Sequence, residues 1–104
     1  MEILHLTEET FDETISEGTA LVDFWATWCG PCRMLAPTIE KLAQERDDVQ
    51  VCKVDVDEQP SLAARFGVMS IPTVIIFKDG EEYEKLVGLR PIESYKEVLE
   101  EAAL

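Results

Sequence analysis

Basic residues are scarce in this sequence. Nine Lys and Arg stand against 22 Asp and Glu, a net charge of −13. Nucleic-acid binding needs a basic patch to neutralise phosphates, so that class of function is excluded. Long apolar runs are missing as well. None approaches the ~20 residues that a membrane-spanning helix needs, so no membrane partner is expected. The N-terminal MEILHLTEETFDE lacks a basic segment followed by a hydrophobic stretch. Neither a secretory signal nor an Arg-rich transit peptide is expected, and the expected location is the cytoplasm. Three cysteines are too few, and an odd number, for the disulfide framework of a small secreted domain. Repeats, low-complexity tracts and interdomain linkers are also lacking, so residues 1–104 are expected to form one domain.

What is present is ordinary core material. Hydrophobic residues make up 46% of the chain, and a domain of this length buries roughly 60–70% of its unfolded surface. Residues 3–6 (ILHL) predict a short strand. TEETFDETISEG predicts a helix from Thr7 as N-cap, with Phe11 and Ile15 on one face and Gly18 as its stop. Residues 20–26 (ALVDFWA) are nearly all apolar, as in a central strand covered on both faces. Residues 30–46 predict the longest helix, with Met34, Leu35, Ile39 and Leu42 facing inward and a kink at Pro37.

Residues 49–55 (VQVCKVD) are strand-like, and 60–66 (PSLAARF) suit a short helix closed by Gly67. Residues 73–78 and 82–87 flank Asp79-Gly80, a hairpin signal. From Pro91 an amphipathic helix is expected, with Ile92, Tyr95, Val98 and Leu99 on one stripe. The order β-α-β-α-β-α-β-β-α implies an α/β sandwich: a mixed sheet with helices on both faces and its last two strands antiparallel.

The chemistry concentrates in residues 23–32, DFWATWCGPC. Cys29 and Cys32 are three apart at the start of the long helix, so both thiols share one side of its first turn. With Cys29 as N-cap, its sulfur faces orphan backbone N–H groups and the positive end of the helix dipole, which lowers its pKa and makes it the nucleophile. Cys32 lies deeper in the turn. Pro31 is tolerated because an early helical N–H has no intrahelical partner. Trp28 can shield the pair and still offer an apolar face to a partner. Two alternatives stand beside redox-active thiols. Half a zinc site would need two more ligands, and only Cys52 and His5 remain, unpaired and in expected strands. No metal is expected. A permanently oxidised structural disulfide conflicts with a reducing cytoplasm.

VDFWATWCGPCRMLAP, then KVDVDE, then SIPTVIIFKDGE, then VG resembles the thioredoxin family, in order and over essentially the whole chain. The resemblance implies the thioredoxin fold: a central five-stranded mixed sheet flanked by four helices. It also implies protein-disulfide reduction by dithiol–disulfide exchange, with re-reduction by a thioredoxin reductase and no bound cofactor. A monomer acting on protein disulfides is expected. By motif, Cys29 matches the attacking cysteine and Cys32 the resolving one. Asp23 matches a buried aspartate that assists proton transfer at the resolving cysteine, and Lys53 the lysine beside it. Pro72 matches the family's cis-proline, while Trp28, Gly30, Pro31, Ile71 and Gly88 map to the substrate-docking surface.

The residues themselves support Asp23. It sits in a run expected to be buried, so desolvation should raise its pKa. A structural pairing with Lys53 is the alternative. Gly30-Pro31 places no charge beside the thiols, which favours a reductant over an oxidase or isomerase of the same fold. A binding module that uses the Trp28/Ile71/Gly88 surface without redox turnover is the rival from another class. Cys52, among β-branched residues, reads as a packing thiol. The chain departs from the family pattern mainly in its acidity.

Overall fold

The computed structural model describes residues 2–104. Its elements are β1 (Leu4–His5), α1 (Phe11–Ile15), β2 (Thr19–Trp25), α2 (Gly30–Glu45), β3 (Val49–Asp55), α3 (Pro60–Arg65), β4 (Thr73–Lys78), β5 (Glu81–Val87) and α4 (Ile92–Ala102). The five strands form one sheet in the order β1-β3-β2-β4-β5. β1 and β2 run parallel to β3, whereas β4 is antiparallel to both β2 and β5. This is the expected thioredoxin fold.

Period-two alternation divides β2 between two cores. Ala20, Val22 and Phe24 join Cys52, Val54, Ile75 and Phe77 under α1 and α3, against Phe11, Ile15 and Leu62. Leu21 joins Val51, Val74 and Ile76 on the opposite face, against Leu35, Ile39 and Leu42 of α2 and Tyr95 and Leu99 of α4. Each fully buried Leu, Ile or Phe contributes about 1.5–3 kcal/mol. β2 therefore has no solvent face, which explains its nearly continuous apolar sequence.

Turn chemistry sets the hairpin. Asp79 and Gly80 both have positive φ, 49° and 86°, as a two-residue type I′ connection requires. The Asp79 carboxylate accepts from the Gly18 N–H at 2.8 Å, and the Asp79 N–H donates to the Gly18 carbonyl at 2.9 Å. This exchange ties the hairpin to the start of β2.

Two local expectations need correction. Thr7 does not cap α1. It forms a turn with Thr10, whose hydroxyl accepts from the Thr7 N–H at 2.9 Å, and the helix starts at Phe11 with Thr10 as its N-cap. Met34 is 67% exposed. The buried stripe of α2 is Cys32, Leu35, Ile39, Leu42 and Ala43, and Met34 lies about 100° round the helix from Leu35. As expected, α2 contains Pro37 within its span.

Candidate active site

β2 ends at Trp25, and a short loop carries the chain to the N-terminus of α2. Cys29 is the N-cap in extended geometry (φ −89°, ψ 111°), with Gly30 and Pro31 opening the helix. Its sulfur accepts from the Cys32 backbone N–H at 3.2 Å, the contact that the capping argument requires. Cys29 and Cys32 are joined as a disulfide across Cα atoms 5.2 Å apart. Both residues are buried, at 5% and 2% exposure, so Cys32 is the deeper of the two. Among the described residues no group of three or more His, Cys, Asp and Glu side chains is placed to hold a metal ion.

Asp23 is fully buried on the α2/α4 face, and neither carboxylate oxygen has a hydrogen-bond partner among the described residues. Burial pushes its pKa up to about 7, and the charge of Lys53 opposes that rise. Asp23 and Lys53 are register partners on β2 and β3, but they form no ion pair among the described residues. The Lys53 ammonium instead lies over Trp25, 4.5 Å from the ring centroid. Structural ion pairing therefore does not account for the buried acid.

The opposing wall comes from the loop before β4. The Ile71-Pro72 bond is cis. The Ile71 carbonyl oxygen lies 3.8 Å from the Cys29 sulfur, and the Pro72 carbonyl accepts from the Gly88 N–H at 2.8 Å. Gly88 has φ 89°, a conformation that an L side chain rarely adopts. Trp28 is 67% exposed. With Val56, Val68, Met69 and Ile71 it lines an apolar groove of about 240 Å³ beside the disulfide.

One contact was not anticipated. The Trp28 indole N–H donates to the Asp57 carboxylate at 2.8 Å. Asp57 is itself held by an Asx turn, its N–H donating to the Asp55 side chain at 2.9 Å. Nothing local pointed to a partner for a tryptophan 29 residues away. The third cysteine is inert by position: Cys52 is fully buried on the α1/α3 face, and burial pushes its thiol up to about 12.

Comparison with known proteins agrees with this geometry. The thioredoxin family model matches residues 2–101. A thioredoxin of Staphylococcus haemolyticus is 56% identical over 101 residues, 96% of this chain and 97% of that protein. One from Staphylococcus aureus is 52% identical over the same coverage. The solved structure of a mutant thioredoxin from Halobacterium salinarum superposes with a TM-score of 0.93 at 40% identity, covering 99% of this chain and 92% of that one. With a disulfide-forming cysteine pair at a helix N-terminus, in this fold and at these identities, the chain belongs to the thioredoxin family and is a disulfide oxidoreductase.

Proposed function

We propose that this protein is a general protein-disulfide reductase, a single-domain monomer of the cytoplasm that a thioredoxin reductase returns to the dithiol state. The observation that carries the reading is the Cys32 N–H aimed at the Cys29 sulfur at 3.2 Å. A backbone donor and the helix N-terminus favour the thiolate there. Cys29 thiolate attacks one sulfur of a target disulfide; the target S–S bond breaks and a target thiolate leaves. Cys32 then loses its proton to Asp23 and attacks the Cys29 sulfur. The mixed disulfide breaks, the second target thiolate leaves, and Cys29–Cys32 is oxidised as the target gains two electrons.

Asp23 suits that proton transfer because a carboxylate with a pKa of about 7 can both take and return a proton near neutrality. Lys53, from the partner strand, tunes it. Trp28, Gly30, Pro31, Ile71, Pro72 and Gly88 form the docking surface. The Ile71 backbone can align an extended target segment as an added strand.

Dithiothreitol-driven insulin reduction tests the reading. Wild type should be active and Cys29→Ser reduced to background, while Cys32→Ser should trap targets as mixed disulfides. Activity that survives Cys29→Ser rejects the assignment. A wild type without activity points to a binding module.

A further inference from the structure

Sulfur in this protein falls into two classes of accessibility. Cys29 and Cys32 are bonded to each other and buried. Cys52 is sealed in the opposite core. The thioethers are the reverse: Met34 is 67% exposed and Met69 is 97% exposed. In the disulfide form, these two methionines are therefore the open nucleophilic sulfurs among the described residues. A thioether carries no proton, so no pKa restrains its reactivity.

Their positions differ. Met34 projects from the outer side of α2 and does not line the groove. Met69 does, beside Trp28 and Ile71. It lies two residues before the carbonyl that sits 3.8 Å from the Cys29 sulfur. A large apolar side chain so exposed makes little contact with its own fold, so its surface is free for a partner. An unbranched, polarizable thioether adapts to varied partner side chains.

We propose that Met69 is an oxidation-sensitive docking residue, whose conversion to the sulfoxide by a peroxide weakens the capture of protein disulfides and leaves the dithiol chemistry intact. The inference rests on the protein-disulfide reading above. The Met69 sulfur attacks the O–O bond of hydrogen peroxide and takes one oxygen atom, and water leaves. The thioether is oxidised and the peroxide reduced by two electrons. The product places a strong acceptor on the rim of an apolar groove. A target side chain that docks there loses an apolar contact and desolvates the new polar group. A small disulfide reaches Cys29 without filling the groove, so its reduction reports the dithiol alone.

The test oxidises the disulfide form of the full chain with hydrogen peroxide and locates the added oxygen by peptide mass spectrometry. Insulin and 5,5′-dithiobis(2-nitrobenzoate) then serve as large and small substrates, each form compared with its own untreated sample. Met69 should gain oxygen before Met34. KM for insulin should rise about tenfold, the low end for loss of a methylene-sized apolar contact, while the small-disulfide rate stays constant. Met69→Leu should resist peroxide, and Met69→Gln should show the raised KM without it.

An unchanged KM after complete Met69 oxidation overturns the inference, as does equal peroxide sensitivity in Met69→Leu. Loss of small-disulfide reduction would place the damage in the dithiol and overturn it as well. An untreated wild type that reduces the small disulfide but not insulin would reject the substrate reading itself, and this inference with it.

Discussion

The two faces of the sheet receive alternate residues of the same strand, yet they are built for opposite ends. On the α1/α3 face, β2 places Ala20, Val22 and Phe24. Phe66 closes that side, with ring centroids 5.1 Å from Phe11 and 5.2 Å from Phe77. Arg65 lies over Phe66 at 4.8 Å and holds Asp12 through two hydrogen bonds of 2.7 and 3.0 Å. On the α2/α4 face the same strand places Leu21, Asp23 and Trp25. The Asp23 oxygens and the Trp25 indole nitrogen are buried there without hydrogen-bond partners among the described residues. One face is closed by packing; the other leaves buried polar atoms unpaired, and of their bearers Trp25 packs against the cysteine pair. The cysteines follow the same division. Cys52 sits among aromatic and β-branched neighbours as an inert filler, whereas Cys29 meets a helix N-terminus.

The largest effect should come from breaking the packed face. Phe77→Ala should cost about 3–5 kcal/mol, read as a lower urea midpoint at unchanged slope, with little change in insulin reduction per folded molecule. A comparable loss of activity would show that the faces are not independent.

Asp23→Asn should act in the opposite direction. The folded state holds a proton on Asp23 that the unfolded chain releases, between the ordinary carboxylate value of 3.8 and about 7. The wild type therefore loses stability as pH rises through that window, and the loss levels off above it. Asp23→Asn removes the charge, so it should match the wild type near pH 4 and exceed it by up to about 4 kcal/mol at pH 8. Thiol exchange should slow at the same time. Denaturant titrations at both pH values check the first expectation; a gain equal at the two values would reject it.

Cys52→Ser should cost about 1–3 kcal/mol by burying a hydroxyl among apolar side chains. Its effect on turnover should be nil, and iodoacetamide should label native Cys52 only through unfolding. The smallest effect belongs to Asp57→Ala. Global stability should move by less than about 0.5 kcal/mol, but indole nitrogen relaxation should report a looser Trp28.

Much of this division was legible in the sequence. β3 and β4 match their expected bounds, because β-branched runs between turn residues admit few other readings. The burial of Asp23 followed from its apolar neighbours, since a strand covered on both faces has no outlet for an acid. The failures have physical causes. Thr7 and Thr10 are equally good caps by type, and Thr10 makes no side-chain capping bond, so residue type alone does not place the start of the helix. Met34 is apolar but off the stripe, so residue type misled where angle would have served. The Asp57–Trp28 bond and the placement of Lys53 over Trp25 depend on tertiary approach, which no local pattern encodes. The cis bond at Ile71-Pro72 came from the family resemblance alone.

The cap at Cys29 has a reciprocal side. Binding equilibria that share a state exchange free energy in equal amounts. Whatever the Cys32 N–H and the N-terminus of α2 contribute to a thiolate at Cys29, that thiolate returns to the helix. The first turn of α2 is thus a ligand of its own nucleophile. Gaining or losing electrons at the sulfur pair is felt as a change in how firmly the helix is anchored.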